Sequence, residues 1–189
     1  MTLDDETLRA FLRELAPIQS LGADLQSVSI APDRGGRGTP DADGKRVGQI
    51  DRGDVTKGRV AHARLSQCRS REAFGWLVEV AHCDWTLDAL ALHLAASHGP
   101  IEAREALSAA ITAGVEAGRE RDKARVTERQ CRAMRAGPMG PAAIKAGMEL
   151  TKASGRVASA EAKAGVARDT LVAWGRAVVI GAWREWEAT

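Results

Sequence analysis

The residues from Val157 to Trp174 read VASAEAKAGVARDTLVAW and contain the one pattern in this chain that points to a mechanism. Ala160 and Ala164 stand one helical turn apart, and side chains this small let two helices cross closely. Gly165 can adopt the positive φ of a tight turn. Trp174 supplies the bulk that fills the angle between two crossing helices. The stretch therefore predicts two short helices joined by a turn at Gly165.

The composition of the whole chain also favours helices. The 189 residues are 44% hydrophobic, but they include only two Phe and no Tyr beside five Trp. An all-β sandwich depends on alternating β-branched and aromatic residues, which this chain lacks. Apolar residues at helical spacing instead follow one another in the first fifteen residues, at Leu8, Phe11, Leu12 and Leu15. We predict an all-α fold.

Changes in local composition divide the chain into five segments. Asp4 and Asp5 can cap a first helix that Pro17 is expected to end. The break at Ser97–Pro100 separates two of three short helices in the middle of the chain. The predicted segments are an N-terminal helical segment (1–30), a Gly/Pro-rich flexible linker or arm (31–59), a three-helix unit (60–115), a charged connecting helix (116–140), and a domain of two helices around Gly165 with a long C-terminal helix (141–189).

The stretch around Gly165 resembles the helix-turn-helix of DNA-binding proteins. It has the small residues, the glycine turn and the bulky residues after the turn, although Glu161 and Ala167 replace a small residue and a capping serine that are usual in that family. The resemblance implies that the second helix enters the major groove of DNA. The DNA contacts expected on this basis are Lys163, Arg168, Asp169, Thr170, Ala173 and Arg176.

The distribution of charge points in the same direction. The net charge is only +2, yet the residues from Glu116 to Arg184 include 14 basic and 7 acidic side chains. A local basic excess is typical of surfaces that bind phosphate backbones. Further backbone contacts are predicted for Arg125, Arg129, Arg132 and Arg135.

These observations favour a DNA-binding transcription regulator of the phage or prophage type, which would control late genes or antitermination on double-stranded DNA. Two alternatives remain open at this point. One is a phage terminase-like packaging subunit, which would assemble into a ring. The other is a helical protein-interaction module that docks a partner such as RNA polymerase. Val179, Trp183 and Trp186 form an apolar face that either the N-terminal helix or a second subunit must cover, and a homo-oligomer is predicted on this basis.

Catalysis, metal binding and membrane insertion have little support in the sequence. No His or Cys pair has the spacing of a structural zinc site, and adjacent His82 and Cys83 would point about 100° apart on a helix. Three cysteines do not suggest a disulfide framework. The apolar run from Ala177 to Trp183 is far shorter than the roughly 20 residues that span a bilayer. We expect a cytoplasmic protein of a bacterial or phage-infected cell that is not an enzyme and uses no cofactor.

Overall fold

The computed structural model describes residues 3–30, 52–134 and 140–189, and within these ranges the chain is all-α, as predicted. No β-strand occurs in the described residues. The helices are α1 (Asp5–Ile30), α2 (Arg52–Leu65), α3 (Arg71–Val80), α4 (Leu87–His98), α5 (Ile101–Met134) and α6 (Pro141–Ala188).

The described residues form two compact units. The first unit comprises Met1–Ala91 together with Arg176–Thr189, and the second comprises Leu92–Gly175. The division falls inside α4 and α6, so each of these helices contributes residues to both units.

Helix α1 begins where the sequence predicts but ends later. The Asp4 carboxylate accepts a hydrogen bond from the Thr7 N–H at 2.8 Å, and hydrogen bonding from Thr7 lowers the pKa of Asp4. The predicted end at Pro17 is wrong, because α1 continues to Ile30. Proline removes one helical hydrogen bond. Two residues beyond it, the Gln19 side chain donates to the carbonyl oxygen of Glu79 in α3 at 3.0 Å, so the chain just after Pro17 is hydrogen-bonded to another helix.

The predicted linker over residues 31–59 is wrong for its last part. Residues 52–59 belong to α2. Two glycines in the first turns of this helix lower its helix propensity, and for this reason the composition of the segment suggested a linker. Residues 31–51 lie outside the described part of the chain.

The predicted break after α4 is confirmed, whereas the predicted boundary at residue 115 is wrong. Helix α4 ends at His98 and α5 begins at Ile101. A Cβ added to Gly99 would overlap the carbonyl oxygen of Ala95, which explains why glycine stands at the turn. Helix α5 then continues to Met134, so the third short helix and the charged connecting helix are one element.

An aromatic cluster forms the core of the first unit. The rings of Phe11, Phe74 and Trp186 lie with centroids 5.9 to 6.3 Å apart. The Arg64 guanidinium lies 4.4 Å from the centroid of the Trp186 ring, and the indole N–H donates to the Glu14 carboxylate at 2.8 Å. These contacts fix the C-terminal end of α6 among α1, α2 and α3.

The predicted partner face is part of this core. Val179, Trp183 and Trp186 are 0%, 4% and 1% exposed. Of the two covers that the sequence allowed, the N-terminal helix is the one observed, since Phe11 of α1 packs on Trp186. The face is therefore not available to a second subunit, and the prediction of an oligomer loses its original basis.

Carboxylates distant in sequence cap two helices of the first unit. Glu185 accepts hydrogen bonds from the backbone N–H groups of Arg69 and, at 3.2 Å, of Ser70, just before α3. The bond from Arg69 is the main reason that the pKa of Glu185 lies below its usual value. Asp5 likewise accepts from the Leu87 N–H at 2.8 Å, at the start of α4.

The aromatic cluster generates a prediction about stability. Trp186→Ala should lower the free energy of unfolding of the first unit by about 3–5 kcal/mol, because it leaves a cavity between the two Phe rings. Trp186→Phe is the control, since it keeps an aromatic ring beside the two Phe rings and loses a smaller part of the buried side chain together with the N–H donor to Glu14. Urea unfolding followed by circular dichroism measures both. A loss for Trp186→Ala no larger than that for Trp186→Phe would contradict the packing described here.

Candidate protein-interaction site

Helices α5 and α6 form an antiparallel hairpin in the second unit, and three contacts fix its register. A Cβ on Gly114 would lie 3.6 Å from the Cβ of Ala160. Farther along α5, the Arg156 guanidinium lies 2.5 Å from the Glu120 carboxylate. A Cβ on Gly147 would lie 3.9 Å from a carboxylate oxygen of Glu128. Residue numbers thus fall along α6 as they rise along α5, which defines an antiparallel pairing.

A seven-residue repeat of small side chains lies where the two helices meet; we call this line the alanine seam. Every seventh residue is alanine over four successive positions of each helix, and all of these side chains are buried or half-buried. A sustained seven-residue repeat is the pattern of a coiled coil, and alanine at the repeat lets the helix axes approach closely. The alanines of the seam are Ala103, Ala110, Ala117 and Ala124 in α5, and Ala146, Ala153, Ala160 and Ala167 in α6.

The turn predicted at Gly165 is wrong, because α6 continues through it from Pro141 to Ala188. The small residues that suggested two crossing helices face α5 instead, as the contact between Ala160 and Gly114 shows. A long helix that packs closely on a neighbour needs the same alanines as a tight helix-turn-helix. The local pattern alone does not distinguish the two, whereas the contact with α5 does.

The residues expected to contact DNA on α6 do not form one surface. Lys163 and Thr170 line the groove described below, while Arg168 is exposed outside it. Arg176 belongs to the first unit and lies 2.5 Å from Asp88, an ion pair that raises the pKa of Arg176. Asp169 and Ala173 are also exposed.

The predicted backbone contacts on α5 do share a face. Arg125, Arg129 and Arg132 are exposed at positions i, i+4 and i+7 of one helix. Arg132 also lies 2.6 Å from the carboxylate of Glu128. Arg135 lies outside the described residues.

One side of the hairpin forms an open groove of about 1260 Å³ between α5 and α6. Its floor consists mainly of alanines from both helices, together with Val166, which is 69% exposed. The groove extends along α5 from Glu102 to Glu120, which corresponds to about 27 Å of helix. The sequence reasoning missed this site, although the seven-residue alanine repeat of α5 and α6 is visible in the sequence.

Charged side chains stand along the groove in a segregated arrangement. The acidic residues that line it, Glu102, Glu116 and Glu120, all come from α5. The basic residues that line it, Arg156 and Lys163, both come from α6. The groove therefore presents an acidic side and a basic side around an apolar floor.

The described ranges contain neither a metal-binding cluster nor a membrane-spanning helix. No group of three or more His, Cys, Asp or Glu side chains there is placed to hold a metal ion. None of the helices in those ranges is long and apolar enough to cross a membrane.

Comparisons with known proteins do not assign this groove a role: neither the family models, nor the curated proteins, nor the solved structures contain a match to this chain.

The close approach at the alanine seam makes a prediction about side-chain size. Gly114→Leu should lower the free energy of unfolding by about 1–3 kcal/mol, because the added atoms would push against Ala160 across the seam. Gly118→Leu is the matched control, since a Cβ at Gly118 meets no atom within 4 Å and leucine favours the helix. Urea unfolding measures both variants, and equal effects would contradict the seam.

Proposed function

We propose that this protein is a helical protein-interaction module that binds a partner helix in the groove between α5 and α6. The observation that carries the proposal is the groove itself, an open apolar channel with charged sides. It extends for about 27 Å, which is the length of about five helical turns. Recognition of an amphipathic helix by an apolar groove is a recurrent mode of protein binding.

The floor of the groove suits a helix more than a small molecule. Ala109 and Ala113 are exposed on the groove side of α5, and Val166 is exposed on that of α6. Side chains this short allow a third helix to approach within the 8 to 10 Å typical of packed helices. Burial of this surface would remove apolar area from water, which favours association.

The charges along the groove would set the orientation of the bound helix. An exposed apolar surface bordered by charged residues is typical of an interaction site. Glu116 on one side and Lys163 on the other would each select a partner residue of opposite charge, and a helix bound in the wrong direction would meet like charges.

Site-specific photo-crosslinking tests the proposal. A benzophenone amino acid at position 113, which lies in the groove, should give a discrete crosslinked product in cells, and the crosslinked peptide should map to a helix. The same amino acid at Ala133 is the control, because Ala133 is exposed on α5 outside the groove. No product at position 113, or the same products from both positions, would refute the groove as a docking site.

DNA binding is a second candidate function, favoured by the exposed arginine face of α5. Arg125, Arg129 and Arg132 lie on one side of a single helix, and arginines at this spacing can contact successive phosphates. A role in transcription regulation or in phage DNA packaging would rest on such contacts. This candidate does not depend on a helix-turn-helix.

A salt series of binding to random duplex DNA tests this second candidate. If the arginine face contacts phosphates, the double variant Arg125→Ala/Arg129→Ala should make the dependence of affinity on salt shallower by about two units. Arg168→Ala, exposed on α6, serves as the control and should leave the slope unchanged. Absence of binding by the wild-type chain at about 50 mM salt would rule this candidate out.

A further inference from the structure

The register of the hairpin places Glu116 and Glu120 of α5 close in height to the basic groove residues of α6, whereas Glu102 lies farther along α5. Gly114 is level with Ala160 and Glu120 is level with Arg156. Glu116 therefore lies at a height between those of Arg156 and Lys163, within about one helical turn of Arg156 and about one and a half turns of Lys163. A molecule that lies across the groove at this height therefore contacts acidic side chains of α5 on one side and basic side chains of α6 on the other.

Two copies of the hairpin can face each other, groove to groove, around a two-fold axis in either of two ways. An axis parallel to the helices sets α5 of one copy against α6 of the other, antiparallel and without a shift in height. Glu116 of each copy then meets the region of Arg156 and Lys163 on the other. An axis perpendicular to the helices sets α5 against α5, so that Glu102 and Glu120 of the two copies approach each other. Opposite charges meet in the first arrangement and like charges in the second.

We infer that the groove binds the same groove of a second copy of this chain, in the first arrangement, as an antiparallel four-helix bundle. This inference rests on the proposed function, since it names the partner helix that the groove would receive. The charge pattern is self-complementary, as a two-fold interface requires. A partner whose helices carried charge of one sign would be repelled by one side of the groove.

Packing of the two floors is consistent with this partner. Ala109 and Ala113 of one copy would face the small residues around Val166 of the other, and every contact occurs twice. Facing alanines allow the four helices to pack as closely as in other bundles. The exposed valine would fill the space that the alanines leave.

Sedimentation equilibrium of the full-length chain tests the inference first. The wild type should have twice the 20.1 kDa mass of a single chain at micromolar concentration. Ala113→Glu, which buries a charge against the second floor, should be monomeric, whereas the control Ala133→Glu should remain dimeric. Both positions are exposed in the single chain, and circular dichroism confirms that each variant is folded.

Charge reversal tests the arrangement. Glu116→Lys and Lys163→Glu should each weaken dimerisation, by roughly tenfold in Kd, because like charges then meet across the interface. An equimolar mixture of the two variants should recover the wild-type affinity, since each chain then offers the charge that the other lacks. A purely intramolecular role for these residues predicts no recovery in the mixture.

The outcomes separate this inference from the proposed function. A wild-type monomer, a dimer unaffected by Ala113→Glu, or a mixture that fails to recover would each overturn the second copy as the partner. A crosslink from position 113 to a helix of a different protein would also overturn it, while leaving the groove as a docking site. A wild-type monomer with no crosslink at position 113 would refute both.

Discussion

The second unit depends on the close approach of α5 and α6 through small side chains. Gly114 of α5 faces Ala160 of α6, and a Cβ added to Gly114 would lie 3.6 Å from the Cβ of Ala160. Because alanine recurs at every seventh residue over four positions of each helix, this approach extends along the alanine seam. The same short side chains leave the flank of the hairpin shallow, which produces the open groove. The candidate site is thus a consequence of how the hairpin packs.

The first unit is held together by a different kind of contact. Large side chains carry it, with Trp186 between two Phe rings and beneath the Arg64 guanidinium. The hydrogen bond from the indole to Glu14 satisfies the polar atom that burial of a tryptophan would otherwise leave unpaired. One helix, α6, therefore serves two packing schemes, with alanine at the contacts of its first part and tryptophan near its end.

The sequence correctly predicted the features that depend on composition or on residues close together in the chain. The all-α class, the Asp4 cap of α1 and the break at Gly99 follow from composition, from a short-range hydrogen bond and from the steric needs of one turn. The predicted helix end at Pro17 and the predicted turn at Gly165 were both wrong. A proline permits a helix to end and a glycine permits a turn, but neither residue requires it. Both helices continue past these residues and contact distant parts of the chain there, α1 through Gln19 and Glu79, and α6 through Ala160 and Gly114.

The candidate site was harder to predict than the fold, for a physical reason. The seven-residue alanine repeat is visible in the sequence. The sequence does not show, however, which acidic residues of α5 lie beside which basic residues of α6, because that depends on the register of the two helices. Glu116 and Lys163 are 47 positions apart, and their shared height follows from the pairing of Gly114 with Ala160. The tryptophans of α6 left two covers open in the sequence, and only the contact of Phe11 with Trp186 shows that the N-terminal helix is the cover.

Amide hydrogen exchange across residues 157–174 tests the account most directly, because it distinguishes a continuous helix from two helices around a turn. Residues 157–174 lie in the interior of an unbroken α6, where each backbone N–H donates within the helix, so protection should continue through Gly165 at the level of its neighbours. Rapid exchange confined to residues 164–168, between two protected segments, would contradict the continuous helix, the alanine seam and the groove that depends on them.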